Sequence, residues 1–266
     1  MKSDSISCVV PTLNSAATLD ATLQSLRAQR GVAVRILVAD SGSTDGTLDI
    51  CRRWNVPTIY AEPGNMYCAI NAALAECDNE WLAYLNSDDW LYPDGLARLL
   101  AAGAEADVVY GHCDYADGAG RFLHSFAAAP PRDLLPLFRL GRMGLAQPAA
   151  VFRRLLYHRL DGFDERYRFK ADADFYLRAL QAGARFAFCD GPPVACFRVH
   201  AAQLSQQQQA AIETEGERLF TLRPEFRDWL ALLRWRWRNA PHYSIRVLRA
   251  FGLSGRLRIP RSIERE

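Results

Sequence analysis

The ten residues WLAYLNSDDW, Trp81 to Trp90, decide how this chain of 266 residues is read. Trp81–Leu85 is an apolar run of strand length, which predicts a strand buried on both faces at the centre of an α/β sheet. It stops abruptly at Asn86, Ser87, Asp88 and Asp89, and Pro93 then opens a helix. Acids at the carboxyl end of such a strand lie where open α/β sheets bind ligands, in the crevice beyond the strand ends. Two readings of the aspartate pair stand side by side. It holds a hard divalent cation, Mn²⁺ or Mg²⁺, which takes oxygen ligands and keeps positions for substrate phosphates, or it caps the helix near Pro93.

The flanking sequence repeats strand and helix. Ile6–Val10 reads as a first strand, with a loop at Pro11 and Asn14, and Ser15 caps a helix to about Gln29 whose apolar stripe is Leu19, Leu23 and Leu26. Arg35–Ala39 is a second strand ending in Asp40. The loop SGSTDGT follows, with Gly42 and Gly46 for tight turns and Ser43, Thr44 and Asp45 capping a helix over Thr47–Trp54. Thr58–Ala61 and a helix over Tyr67–Ala75 complete the approach to the central strand. This alternation predicts βαβ crossovers and a mostly parallel sheet.

After Val108–Tyr110, GHCDYADGAGRFLHS reads as a hairpin turning near Asp117–Gly118, so the sheet becomes mixed. The prolines of AAAPPRDLLPLF predict a loop over the strand ends. Gln147–Phe152 is expected as a strand and Arg153–Arg159 as a short helix. Ala171–Ala182 is a longer helix with Asp172 and Asp174 in its first turn. Arg185–Phe188 and Val194–Val199 are the last strands, before His200.

Seven scattered cysteines with no CxxC pair argue for a reducing compartment and against a disulfide framework or a thiolate zinc site. The N-terminal apolar run is too short for a signal peptide, and no stretch approaches the ~20 apolar residues of a spanning helix, so a cytoplasmic protein is expected. The polar run Gln206–Gln209 marks a domain edge, dividing a catalytic domain, 1–205, from a C-terminal helical extension, 206–266. From Arg223 onward, eleven arginines face four acids, a net +7 that leaves −5 on the rest of a chain of net +2. In FRDWLALLRWRWR, Trp229, Leu232, Leu233 and Trp237 fall near one face with Arg234, Arg236 and Arg238 around them. The tail is read either as an interfacial helix meeting anionic lipid on the inner face of the membrane or as a helix packed on the catalytic domain.

Asp40 and the Asp88–Asp89 pair end two strands on one edge, an arrangement that fits a nucleotide, although Asp40 also reads as a simple turn residue before Ser41–Gly42. No GxGxxG follows the first strand, which excludes a dinucleotide Rossmann domain, and no GxxxxGK[ST] marks a P-loop. Four blocks in order, VVPTLNSAATLDATLQSL, VADSGSTDGT, AEPGNMYCAINAALAECDNEWLAYLNSDDW and GFDERYRFKADADFYLRALQAG, resemble the family-2 glycosyltransferases, from about Ile6 to Ser205. The resemblance implies an α/β GT-A fold with a mixed, mostly parallel sheet flanked by helices. It also implies inverting transfer from a nucleotide sugar, a UDP-sugar, to a glycan or lipid-linked acceptor in bacterial surface polysaccharide synthesis, with a divalent metal. Nucleic acid is not among the expected partners.

Residue by residue, the resemblance gives Asp40 to the base, Asp88 to the ribose and Asp89 to the metal. Pro11, Thr12, Asn14 and Ser43 frame the nucleotide. Asp172 is the general base. Gln147 falls where relatives carry His-Gln beside the acceptor, here with Ala146 for the histidine. Asp174 is placed with the acceptor residues, although Arg178, four residues on, is its simpler partner. His200 either approaches the metal or diphosphate or is an ordinary loop histidine. Cys68 stands where close relatives often have Asp. Two rivals remain. A sugar nucleotidyltransferase would want a glycine-rich, basic loop after the first strand, and a catalytically dead sugar-nucleotide or glycan-binding protein would not need all of Asp40, Asp88, Asp89 and Asp172.

Overall fold

Successive residues of a strand point to opposite faces, and the first strands are apolar on both. In β1 (Ser5–Thr12), Ile6, Cys8 and Val10 enter one core and Val9 the other; in β2 (Ala33–Asp40), Ile36 and Val38 oppose Leu37 and Ala39. A sheet with two greasy faces needs helices on both. The computed structural model, which describes residues 5–200, 203 and 208–250 with side chains through Pro241, supplies them. In chain order these first elements continue with α1 (Leu19–Arg27), α2 (Thr47–Arg53), β3 (Thr58–Tyr60), α3 (Met66–Ala75) and β4 (Trp81–Tyr84). Then come β5 (Trp90–Leu91), α4 (Gly95–Ala102), β6 (Val108–Gly111), β7 (Cys113–Asp117), β8 (Phe122–Phe126) and α5 (Pro131–Arg139). The remainder is β9 (Ala150–Arg153), α6 (Arg154–Arg159), α7 (Ala171–Gln181), β10 (Phe186–Cys189), β11 (Ala195–Val199), α8 (Gln209–Leu219) and α9 (Phe226–Ala250).

The main sheet has seven strands in the order β10-β6-β9-β4-β1-β2-β3, so β4 is the middle strand, as its apolar run predicts. β1, β2, β3 and β4 run parallel, as do β6 and β10, and β9 lies antiparallel between β4 and β6. The hairpin β7–β8 does not extend this sheet. It joins β5 and β11 in a second, four-stranded sheet of order β5-β11-β7-β8, which brings β11 back to the end of β4.

Two local expectations are corrected. The segment around the prolines is a helix, α5, and not a loop: Pro131 sits in its first turn, where a missing N–H is harmless, and burial of Leu134, Leu137 and Phe138 outweighs Pro136 inside it. Gln147–Ala149 forms a 3₁₀ turn before β9, because Pro148 offers no N–H for a strand ladder.

The extension is built into the same core as the catalytic domain, with Leu219, Leu232 and Trp235 beside residues of α3, α5 and α7. Trp235 Nε1 donates to the Ala127 carbonyl at 2.9 Å, and Asn239 meets both the N–H and the C=O of Ala127. The stripe read from the sequence is thereby split. Leu232 turns inward with Ala231 and Trp235, whereas Phe226, Trp229, Leu230, Leu233 and Trp237 are exposed at the i, i+3, i+4, i+7 and i+11 positions of the opposite face. Arg234 pairs with Asp133 of α5 at 2.5 Å and Arg238 lies over the Phe188 ring, so neither is the free lipid-facing charge expected. Among the described residues no helix is long and apolar enough to cross a membrane.

Gly95 opens α4 against the chain leading into β11, where an added Cβ would stand 2.5 Å from the Val194 carbonyl oxygen. Because the obstacle is backbone, Gly95→Ala is expected to destabilise the protein by about 1–3 kcal/mol, measured as a lower urea midpoint at unchanged m-value.

Candidate functional site

Three strand ends are stitched together at the carboxyl edge. Asp40, at the end of β2, accepts from the Thr12 hydroxyl of β1 and the Ser43 hydroxyl on Oδ1, and from the N–H groups of Gly42 and Ser43 on Oδ2. A carboxylate offers about four acceptor positions, and here the protein fills them in a buried setting. Asp40 thereby shapes the loop that carries Gly42 and Ser43. Asn14 adopts a left-handed φ of 51°, which its short polar side chain tolerates. Its N–H donates to Ser43 Oγ at 2.8 Å and its Oδ1 accepts from Thr44 N–H at 2.9 Å. Pro11 and Thr12 are buried under this loop, so Leu13 and Asn14 form its exposed lip. Ser15 caps no helix with its side chain; its hydroxyl meets that of Ser87, 2.7 Å away, and ties the β1 loop to the end of β4.

Beyond β4, Asn86, Ser87 and Asp88 are half-buried, and Asp89 is wholly buried. Asp89 Oδ1 accepts from the backbone N–H of Arg198 at 2.9 Å, and burial, then the neighbouring Asp88, push its carboxyl well above the usual range. The reachable acid is Asp88. His200 Nε2 lies 2.9 Å from its Oδ2, and Gln203 Nε2 donates to the same oxygen at 3.1 Å. Of the adjacent pair, Asp89 is therefore the enclosed acid and Asp88 the half-buried one beside His200. Arg198 completes the clamp, with Nε on the Asp88 carbonyl at 2.8 Å and its guanidinium over Trp90. The sequence reading missed Arg198, which lies in β11 two residues before His200, itself just past the strand end.

The donor set suits a hard divalent cation. Asn86 Oδ1 and Asp89 Oδ2 are buried without any hydrogen-bond partner, beside an accessible carboxylate and an imidazole. Among the described residues no group of three or more His, Cys, Asp or Glu side chains gathers, so an ion there would need substrate oxygens as well.

A second acid lies across the end of β4. Asp172, in the first turn of α7, accepts on Oδ1 from Tyr67 Oη at 3.2 Å and from Ala173 N–H at 2.8 Å. Burial raises its pKa, against the pull of those two donors and of Lys170. The Tyr67 ring stands edge-on to that of Tyr84, the last residue of β4, which fixes Asp172 relative to the strand carrying Asp88. Tyr67, also missed from the sequence, gave no signal there beyond an apolar helix position. Gln147 is buried and its Nε2 donates to the Tyr84 carbonyl at 2.8 Å, and Asp174 is held by Arg178 at 2.6 Å. Arg178 also bonds the carbonyls of Leu160 and Gly162. Gln147 Nε2 thus serves the backbone of β4, and Asp174 Oδ2 an ion pair within α7.

A buried parallel sheet with acids at its central strand end is the GT-A architecture, and solved structures agree. TarS of S. aureus, residues 1–349 in complex with UDP, superposes with a TM-score of 0.60 over 94% of this chain and 72% of that one, at 21% identity. The mannosyltransferase PcManGT from Pyrobaculum calidifontis, in complex with GDP-Man and Mn²⁺, gives 0.57 over 95% and 76%, at 20% identity. Residues 7–160 match glycosyl transferase family 2, and the chain belongs to that family. A PGL/p-HBAD biosynthesis glycosyltransferase of Mycobacterium tuberculosis is 32% identical over 191 residues, 68% of this chain and 71% of that one. The succinoglycan biosynthesis protein ExoO of Rhizobium meliloti is 30% identical over 204 residues, 68% of this chain and 57% of its own length.

Asp40→Asn would set an amide NH₂ against N–H and hydroxyl donors. It is expected to lower stability by about 1–3 kcal/mol in urea titration and to weaken nucleotide binding, measured by calorimetry, as the loop loosens.

Proposed function

We propose that this glycosyltransferase inverts the donor anomeric centre, using a UDP-sugar and a divalent cation, and delivers the sugar to a surface glycan or its lipid-linked precursor. The observation that carries the reading is Asp172, a carboxyl raised by burial, held on Oδ1 by Tyr67 and Ala173 while Oδ2 takes no hydrogen bond among the described residues. A base of this kind takes the acceptor hydroxyl proton as that oxygen attacks the anomeric carbon, and the nucleoside diphosphate leaves from the opposite face. A cation, when bound, neutralises charge on the departing diphosphate. Asp88 and His200 would hold it, with Asp89 and Asn86 supporting from beneath. The loop of Asn14, Gly42 and Ser43, shaped by Asp40, frames the nucleoside. The UDP in the TarS complex and the biosyntheses named for the relatives support the donor and acceptor classes.

The division of roles is tested by two variants. Asp88→Ala is expected to lose Mn²⁺-dependent UDP binding by about tenfold or more, whereas Asp172→Asn keeps it and loses transfer by about 10²–10⁴-fold. As pH falls through the raised pKa of Asp172 its base form is lost, so kcat/KM of the unaltered protein should begin to fall above the ordinary carboxylate range. Equal loss of UDP affinity in both variants would sink the assignment.

The same reading places the enzyme at an anionic membrane surface, on the inner face of a bacterial membrane, through the outward stripe of α9. Aromatic residues flanked by arginine suit the headgroup region. Full-length protein should sediment with anionic vesicles at low salt, less so at high salt as charges are screened, and not with Trp229→Ser and Trp237→Ser combined. Since both tryptophans are exposed, the double variant should melt as the parent does. No sedimentation at low salt would remove the membrane contact.

A further inference from the structure

Glu215, in α8 of the C-terminal extension, is buried, and it reaches back to the entrance of α7. Its Oε1 accepts from the N–H of Arg168 at 2.7 Å, and its Oε2 accepts from the N–H groups of Phe169 at 3.0 Å and Lys170 at 3.1 Å. Consecutive N–H groups turned to one side form an anion-binding concavity, and the positive end of a helix adds to its field. Lys170 is the N-cap residue of α7 and makes no side-chain cap bond; an ammonium has donors only and could not satisfy such groups. The acceptor comes instead from a residue 45 positions further on in the chain.

The contact is supported around it. A Cβ on Gly216 would stand 3.2 Å from Lys170 Cε, so the glycine lets α8 lie close to the entrance of α7, and the Lys170 ammonium sits over the Phe220 ring. On the other side, Arg168 donates to the Gly64 carbonyl at 2.9 Å, and Asn65 Nδ2 bonds the carbonyls of Glu165 and Tyr167. The stretch 165–170 is thereby suspended between the start of α3 and α8. Asp172 follows two residues later. A shift of about 1 Å in a reacting group can cost 10²-fold in rate, so what fixes this stretch fixes the base.

We propose that Glu215 is a positioning residue for transfer: a carboxylate supplied by the C-terminal extension that holds the start of α7 so that Asp172 Oδ2 faces the acceptor hydroxyl. The proposal rests on Asp172 being the base. Glu215→Gln keeps the shape of the side chain but turns an NH₂ toward backbone donors. In that variant kcat is expected to fall by about tenfold or more while UDP affinity stays within about twofold. Glu215→Asp, which keeps the charge on a shorter arm, is expected to recover part of the loss. Circular dichroism melts establish that each variant is folded at the assay temperature; if Glu215→Gln is not, Glu215→Asp decides by the same comparison of kcat with UDP affinity. Full kcat in folded Glu215→Gln, or a parallel loss of kcat and UDP affinity, would overturn the proposal. Asp172→Asn, assayed alongside, separates the two ideas. An active Asp172→Asn protein removes the base reading and this role with it, whereas an inactive one beside a fully active Glu215→Gln protein removes this role alone.

Discussion

A carboxylate enclosed away from water must meet donors or give up its charge, and Asp89 is the point at which this requirement organises the molecule. Its Oδ1 is met by the N–H of Arg198, 109 residues later, and its own carbonyl accepts from Thr22 of α1. The strand that brings Arg198 there belongs to the second sheet, so the hairpin β7–β8, which flanks β11, is part of what closes the site. His200, just past the end of β11, lies beside Asp88. The buried acid thus sets the position of the accessible one.

The Asp172 side of the β4 end is held by a different force. Tyr67, Tyr84, Phe152, Phe163 and Phe175 form a run of ring contacts joining α3, β4, β9, the turn before α7 and α7 itself. Edge-on and tilted rings of this kind add directional preference to large apolar burial. Tyr67 of this cluster donates to Asp172, so the proposed base is tied to the end of β4 through close-packed rings. Packing of that density resists adjustment, which suits a displacement in which base, acceptor oxygen and anomeric carbon must align.

The extension joins these halves. Its inward face supplies Trp235 and Asn239 to Ala127, at the end of β8, where backbone groups would otherwise lack partners. Its Glu215 supplies the acceptor that the entrance of α7 lacks. What reads in composition as a basic appendage is, over its described residues, a wall of the catalytic unit that keeps one apolar stripe for the outside.

The sequence by itself determined most of the order of strands and helices, though not α5 or β5, and the burial of the central strand, because period-2 and period-3.6 apolar patterns are local and β4 is apolar without interruption. It also located the acids, since Asp40 ends β2, Asp88 and Asp89 lie in the turn after β4, and Asp172 is in the first turn of α7. Only the tertiary structure decided which of them a ligand can reach. Asp88 and Asp89 are adjacent and chemically identical, yet one is half-buried beside His200 and the other is sealed under Arg198. Asp40 ends a strand in a glycine-rich loop, and only the fold brings the Thr12 hydroxyl of β1 to it beside that of Ser43. Likewise the tail pattern admitted packing or lipid, and α9 packs one face on the core while its other apolar stripe is exposed. Burial and hydrogen-bond saturation depend on groups 28 to 110 residues apart in the chain, and no local pattern records which distant donor will arrive.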